Sequence, residues 1–288
     1  MSSLRLAVEV VRWIWTHPSN RGRRVRQLCQ AMAFQARGRL LRRPTVVPVG
    51  RRSRLVAHLR ERGSSLVVYA NPHDHAEIGL WERLLGPGDL FVDVGANVGS
   101  YSMWAAELGA EVVAFEPDAG ARARLRANAR LNGFDIDIRP QIVSATVGRA
   151  RMTRGLDAMN HIAVGAGDDA QEATTLDVAL AGRTHVRGVK VDVEGFERLV
   201  LEGAEELLRE HRIDVVQLEW NRLSLDHMGE PRGRAGEILT GHGYHLLRPD
   251  GTADFRRLQA DVFAVSPACL DEVLALVGRG VSAVIAGT

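Results

Sequence analysis

Two short segments of the sequence carry residues whose types and spacing suit chemistry, and the first is DVGANVG at residues 93–99. Its glycines, Gly95 and Gly99, predict a tight turn in which the backbone lies close to a ligand. Glu116 follows Gly95 by 21 residues, where a carboxylate after the next strand can accept hydrogen bonds from ribose hydroxyls. The spacing therefore predicts a site for a nucleoside-containing cofactor.

The same turn departs from the G-x-G-x-x-G pattern of dinucleotide-binding proteins. Asn97 stands where that pattern has a glycine, and a side chain there would obstruct a pyrophosphate. Asp93 would repel a pyrophosphate, but its carboxylate could hold a cationic amino group such as that of S-adenosylmethionine. A tight structural turn is the alternative for the glycines alone, whereas Asp93 and Glu116 together favour the methyl donor.

The second segment is KVDVEGFE at residues 190–197. In a strand, alternate side chains share a face, so Lys190, Asp192 and Glu194 are predicted to lie on one side of it. Three charged groups on a central strand are costly to bury unless they are paired or functional. The pattern predicts a catalytic cluster, and a Lys-Asp-Glu network that only stabilises the strand end is the alternative.

Beside a bound methyl donor, this cluster would act on the group that accepts the methyl. Asp192 or Glu194 would act as the general base or orient the acceptor, and Lys190 would pair with them. His161, in a polar segment predicted to be a long loop over residues 148–171, is the reserve candidate for the base. Asp192, Glu194 and Glu219 could also converge on a divalent cation, although a metal is not favoured.

These residues require strands that end at one edge of a sheet. The segments 90–94, 112–115, 188–193 and 214–218 are predicted parallel strands, and residues 244–247 and 261–265 a closing antiparallel pair. Helices are predicted at residues 77–85, 119–131 and 197–210, and a short strand at 65–69. The predicted fold class is α/β, with a doubly wound, mostly parallel sheet.

The charge distribution predicts a separate N-terminal arm. Residues 1–62 contain 15 arginines and two acids, whereas the whole chain has a formal charge of only +2. We therefore divide the chain into a basic, largely helical arm, residues 1–62, and a catalytic domain, residues 63–288. Residues 21–43 are predicted to form a helix with one apolar face, which comprises Val25, Leu28, Cys29, Met32, Ala36 and Leu40.

The role of the arm is open on the sequence alone. Its helix either packs on the core with a solvated charged face, or meets an anionic substrate, an anionic partner or a membrane surface. Nucleic acid is not expected, because no aromatic residues alternate with the charges.

Composition excludes other classes. No apolar run reaches the length of a membrane span, and no secretory signal is recognisable at the N-terminus. The two cysteines, Cys29 and Cys269, lack metal-ligand spacing, so neither a zinc site nor a disulfide framework is expected. This use of cysteine predicts a cytoplasmic location.

Several stretches together resemble the FkbM family of S-adenosylmethionine-dependent methyltransferases. They are FVDVGANVGSYS, VVAFEPD, ARLNG, TTLDVAL, KVDVEGFERLVLEGAEELL and QLEWN, and they span about residues 88–221. The resemblance implies a class I methyltransferase fold, which is Rossmann-like, and methylation of hydroxyls on sugars or polyketide-type natural products. It also implies that Asp93, Gly95, Asn97 and Gly99 form the cofactor loop, that Glu116 is the ribose acid, and that Lys190, Asp192, Glu194 and Gly195 form the signature strand.

Two functions of other classes compete with this interpretation. A nicotinamide-dependent oxidoreductase would also use the predicted β-α-β unit, which consists of the strand at residues 90–94, a helix through residue 108 and the strand at 112–115. Residues 93 and 97 argue against such an enzyme. A non-catalytic protein could keep the fold and bind an anionic partner through the arm. The charged strand at residues 190–194 instead favours an enzyme with a small-molecule or glycan acceptor.

Overall fold

The computed structural model describes residues 3–59, 61–152, 162–163, 170–220, 223–249 and 261–277. The predicted β-α-β unit is present: strand β3 (Leu90–Val94), helix α5 (Ser100–Glu107) and strand β4 (Glu111–Phe115). Helix α6 (Ala119–Asn132) and the short strand β5 (Asp137–Arg139) follow. Parallel pairing of β3 with β4, and of β4 with β5, places their carboxyl ends at one edge.

The second half of the sheet comes from β10 (Val186–Val191), β11 (Ile213–Leu218), β12 (His245–Leu247) and β13 (Val262–Val265). The sheet order is β12-β13-β11-β10-β3-β4-β5. Strand β10 pairs in parallel with both β3 and β11, and β13 runs antiparallel to β11 and β12. The predicted α/β sheet and its closing antiparallel pair are confirmed.

Helices cover both faces of this sheet, and two apolar clusters lie between helices and strands. After β10, the predicted helix over residues 197–210 is two helices, α8 (Glu197–Glu202) and α9 (Glu205–Arg209). Gly203 separates them, and a Cβ there would lie 2.1 Å from the backbone oxygen of Ser144. The helices that follow in the chain are α10 (Leu223–Met228), α11 (Gly233–Gly241) and α12 (Leu270–Val277).

The prediction of a continuous loop over residues 148–171 is wrong. A small sheet in the order β6-β9-β7-β8 contains β6 (Ile142–Val143), β7 (Gly148–Met152), β8 (Ile162–Ala163) and β9 (Gln171–Thr174), and helix α7 (Leu176–Ala179) follows. Its strands are between two and five residues long, too short to show the apolar alternation by which a strand is recognised.

The N-terminal region contains α1 (Ser3–Thr16), α2 (Arg24–Leu40), a hairpin of β1 (Thr45–Pro48) and β2 (Arg54–Ala57), then α3 (Arg62–Tyr69) and α4 (His75–Leu84). The predicted strand at residues 65–69 is therefore a helix: burial on several sides outweighs the β-propensity of its valines. The hairpin was not predicted either. No helix in the described part of the chain is both long and apolar enough to cross a bilayer.

The hairpin is held to helix α6 by two asparagine side chains. Asn132 Oδ1 accepts the backbone N–H of Arg54 at 2.7 Å, and Asn128 Oδ1 accepts that of Val56 at 3.0 Å. The Glu107 carboxylate accepts the backbone N–H groups of residues 51, 52 and 53. The hairpin part of the predicted arm thus packs on the sheet's own helices, and the boundary at residue 62 stays a prediction.

Candidate active site

The predicted cofactor loop connects β3 to α5 through three residues of positive φ: Gly95 at 83°, Asn97 at 50° and Gly99 at 89°. Asparagine is one of the few residues with a side chain that adopts this conformation readily, which explains how position 97 dispenses with glycine. A Cβ on Gly95 would lie 1.9 Å from the backbone oxygen of Asp192. The sequence predicted that a ligand lies close to the backbone at Gly95. In the structure, the backbone that follows β10 lies there instead.

Glu116, at the end of β4, fastens this loop. One carboxylate oxygen accepts the backbone N–H of Asn97 at 2.7 Å, and the other accepts that of Asp118 at 2.7 Å. Burial raises the pKa of Glu116 to about 7, against the lowering effect of these two hydrogen bonds. Each oxygen can accept a second hydrogen bond, so the predicted contact with ribose hydroxyls is compatible with the structural role.

The loop is also in contact with the start of α3. A Cβ on Gly63 would lie 2.6 Å from the side-chain oxygen of Asn97. The first turn of α3 therefore packs directly against the cofactor loop.

Asp93 is buried at the end of β3. Its Oδ2 accepts the Ser102 hydroxyl at 2.6 Å, and burial raises its pKa although the positive charge of Lys190 lowers it. Its other oxygen, Oδ1, has no hydrogen-bond partner among the described residues. The sequence analysis expected a ligand amino group to supply the positive charge beside Asp93, and Lys190 supplies part of that charge. Oδ1 of Asp93 remains as an acceptor for such an amino group.

Lys190 and Asp192 lie together, as strand alternation predicts. The Lys190 ammonium donates to Asp192 Oδ2 at 2.7 Å and lies 4.7 Å from the centroid of the Tyr101 ring. Burial would lower the lysine pKa, but the Asp192 and Asp93 carboxylates outweigh it and the net shift is upward. The lysine is therefore a fixed cation, and about a third of the Asp192 side chain (34%) remains exposed.

Beyond Asp192 the chain makes a strained turn. Glu194 has a φ of 55° and Gly195 one of 102°, and the ring of His227 hydrogen-bonds to the Glu194 backbone oxygen at 2.7 Å. Glu194 therefore lies in a turn, whereas the sequence predicted that it lies on the strand. The buried Glu197 carboxylate accepts the N–H groups of Val193 and Gly195 at 3.2 and 3.0 Å. Burial raises the pKa of Glu197 to about 7.

Glu219, directly after β11, lies near the same group of carboxylates at the carboxyl edge of the sheet. Burial raises its pKa well above the usual range, and the nearby charges of Asp192, Glu194 and Glu197 add to the shift. Its Oε2 has no hydrogen-bond partner among the described residues. The three carboxylates named for a possible cation are thus close in space, but within the described ranges no set of three or more His, Cys, Asp or Glu side chains is grouped to hold a metal ion.

Sequence reasoning missed a buried polar network on the other side of Lys190. The Tyr101 hydroxyl donates to Asp74 at 2.9 Å, and Gln217 donates to the Tyr101 oxygen at 3.0 Å and to Asp261 at 2.6 Å. Burial raises the pKa of Asp261 well above its usual range. These residues come from four separate segments, and none carries a local signal; the reserve base His161 lies outside the described residues.

The arrangement fits S-adenosylmethionine. An acid at the end of β4, a glycine turn at the end of β3 and an unpartnered Asp93 oxygen offer acceptors for ribose hydroxyls and for an amino group. With the sheet order, they define a class I S-adenosylmethionine-dependent methyltransferase. The model of the FkbM methyltransferase domain matches residues 93–246, more than half of the chain. The protein belongs to the FkbM methyltransferase family, as the sequence resemblance implied.

Individual relatives are more distant. The chain is 29% identical over 206 residues to the 31-O-demethyl-FK506 methyltransferase FkbM of Streptomyces tacrolimicus, with 57% of this chain and 75% of that protein covered. The T. thermophilus 16S rRNA N2 G1207 methyltransferase is 15% identical with a TM-score of 0.45, covering 78% of this chain and 50% of that one. A TehB-like S-adenosylmethionine-dependent methyltransferase from Corynebacterium glutamicum is 15% identical with a TM-score of 0.43, covering 71% and 94%.

Proposed function

We propose that the protein is an O-methyltransferase that methylates a hydroxyl of a small molecule or glycan, of the sugar or polyketide type. The observation that carries this proposal is the ion pair of Asp192 with buried Lys190, at the carboxyl edge of the sheet beside the cofactor loop. The name of the Streptomyces relative, which specifies an O-demethyl substrate, supports an oxygen acceptor.

Asp192 has the properties that a base for a hydroxyl needs. The Lys190 ammonium donates to one of its oxygens at 2.7 Å, which fixes the direction of the carboxylate. A partly exposed side chain can still reach a substrate. Drawing the proton from the attacking hydroxyl is a role typically worth about 10²–10⁴ in rate.

The remaining residues position the reactants. Bound S-adenosylmethionine supplies an electrophilic methyl group on a positively charged sulfur. Glu116 and the Asn97 turn would hold the ribose, and Asp93 the amino group. Glu194 and Glu219 would border the acceptor, and Glu219 lines a cleft together with Trp220, Met228 and Arg232 among others. Orientation of this kind contributes up to about 7–11 kcal/mol to such reactions.

A non-catalytic or nicotinamide-binding role has less support. A partly exposed, lysine-paired carboxylate beside the cofactor loop favours an enzyme over a fold that only binds. The buried Asp93 and the Asn97 side chain leave no place for a pyrophosphate on the loop.

The test measures transfer of labelled methyl from S-adenosylmethionine to a panel of sugars and polyketides, each compared with its deoxy analogue. Asp192→Asn should reduce turnover by about 10²–10⁴-fold and leave the affinity for S-adenosylhomocysteine within a few fold. Asp271→Asn, an exposed aspartate at the start of α12, is the matched control and should retain full turnover. Normal turnover in Asp192→Asn and Glu194→Gln would place the base elsewhere, and methylation of the deoxy analogues would refute a hydroxyl acceptor.

A further inference from the structure

Helix α2 packs on the core with a face that the sequence does not predict. Its buried residues are Gln27, Ala31 and Phe34. Of the interpretations left open by the sequence, packing of the apolar face on the core holds only for Leu28, which is partly buried there. The rest of that face points outward: the exposed fractions of Val25, Met32 and Leu40 are 66%, 63% and 81%. Their spacing places them on one face of the helix. In the part of the chain that the structure describes, no element covers this apolar stripe.

Helix α1 presents a similar stripe. Val8, Val11 and Trp15 are exposed and lie at i, i+3 and i+7. The Arg24 guanidinium lies 5.6 Å from the centroid of the Trp15 ring, which joins the end of α1 to the start of α2. Of the twelve large apolar side chains that stand out as exposed among the described residues, seven lie on these two helices or directly after α2, at Leu41. Exposed apolar side chains are thus concentrated here, and such patches mark interaction surfaces.

These two helices and the segments directly beside them, residues 1–43, contain ten of the 15 arginines of the arm. Exposed arginines flank the stripes, with Arg5 and Arg12 on α1 and Arg26 and Arg37 on α2. Residues 1–62 contain 15 arginines and two acids. An apolar stripe bordered by cations is typical of helices that lie in the interface of an anionic membrane.

We propose that α1 and α2 dock on an anionic lipid surface, with the apolar stripes at the boundary between headgroups and acyl chains and the arginines on lipid phosphates. A second copy of the chain is a poorer occupant, since two such cationic faces repel each other. Nucleic acid would satisfy the arginines, but burying Val25, Met32 and Leu40 against it would bring no stacking. A bilayer satisfies both parts of the surface.

The experiment is flotation of the full-length protein with phosphatidylcholine vesicles, with and without phosphatidylglycerol. We expect binding at least about tenfold tighter to the anionic vesicles, and weakening as salt rises from about 0.1 M to 1 M. The double variant Val25→Glu/Met32→Glu should reduce binding by more than about tenfold, because charge enters the apolar boundary. Val178→Glu, at a 58% exposed position on α7, is the matched control and should bind normally.

The charges are tested by Arg26→Glu/Arg37→Glu, which should also lose at least about tenfold in binding to anionic vesicles. Unchanged affinity for S-adenosylhomocysteine shows that each variant is folded. No preference for anionic vesicles, or a stripe variant that binds as well as the control, would overturn the proposal. So would a dimer in sedimentation velocity that the stripe variant dissociates, or a single-stranded oligonucleotide that binds more tightly than the vesicles.

Discussion

The two sides of the crevice at the carboxyl edge of the sheet hold their acids in opposite ways. On the β4 side, both oxygens of Glu116 accept backbone N–H groups, so that the acid is part of the scaffold. On the β10 and β11 side, Asp192 is partly exposed and Glu219 keeps an unpartnered oxygen near other carboxylates. On the first side the backbone fixes the acid, whereas the second side carries excess negative charge. For the proposed function, this difference means that the cofactor is held mainly by shape and that the acceptor is acted on mainly by electrostatics.

The largest effect is expected where the two sides touch. Gly95→Ala would place a Cβ 1.9 Å from the Asp192 backbone oxygen at a φ of 83°. We expect a loss of about 3 kcal/mol or more in the free energy of unfolding, measured by urea denaturation. Gly88→Ala has a similar φ of 91° with nothing within 4 Å, so it should cost only about 1 kcal/mol. Equal losses in the two variants would show that the contact between the loops is unimportant.

The second prediction concerns Glu197, a buried acid on the β10 side whose carboxylate, like that of Glu116, accepts two backbone N–H groups. Its pKa of about 7 exceeds the ordinary 4.5, so the folded state binds the proton more tightly and loses stability as pH rises from about 4.5 to 7. Glu197→Gln keeps an acceptor oxygen for both backbone N–H groups and removes this titration. Its stability relative to the wild type should therefore rise by about 3 kcal/mol between pH 4.5 and 8.

Urea denaturation across this pH range measures the Glu197 effect. Glu205→Gln, at an exposed position at the start of α9, is the control and should follow the wild type at each pH. A constant difference between Glu197→Gln and the wild type would contradict the raised pKa.

The third prediction concerns cofactor affinity. Glu116→Ala removes the acceptor for ribose hydroxyls and the hydrogen bond to the backbone N–H of Asn97. S-adenosylhomocysteine should therefore bind about tenfold or more weakly, as measured by titration calorimetry. Because the ionised carboxylate is the better acceptor, wild-type affinity should rise with pH through about 7, and the variant should lack this rise. Glu111→Ala, an exposed position at the other end of β4, should bind normally. Unchanged affinity in Glu116→Ala would remove Glu116 from the cofactor site.

The smallest effect is expected at Glu219. Neutralising it by Glu219→Gln removes repulsion from Asp192 and its neighbours, so the variant should be more stable than the wild type by about 1 kcal/mol at alkaline pH. The gain should shrink at acidic pH, where the wild-type carboxyl is protonated. Thermal denaturation at both pH values measures it, and destabilisation at alkaline pH would mean that Glu219 is satisfied, which would break the contrast with Glu116.

The sequence predicted the parts of the site that depend on local pattern. The strand–turn–helix around Gly95 and Gly99 follows from glycine positions, and the Lys190–Asp192 pair follows from strand alternation. The approach of Asp192 to Gly95 was not predictable, because it joins residues far apart in the chain. The same holds for the network of Tyr101, Gln217 and Asp261.

Outside the site, the errors have one origin. Periodicity identified α2 and its apolar face, but not which face the fold would bury, since Gln27 is buried and Met32 is exposed. The valines of α3 and the short strands of the small sheet likewise follow tertiary context and depart from local propensity.

The contact of Gly63 with Asn97 has a thermodynamic consequence. Helix α3 packs on α2, and its first turn contacts the cofactor loop, where a Cβ at Gly63 would lie only 2.6 Å from the asparagine side chain. A ligand on either side that shifts this contact changes the affinity of the other side. Linkage requires the two changes to be equal: whatever factor vesicle binding imposes on S-adenosylmethionine affinity, S-adenosylmethionine imposes on vesicle affinity.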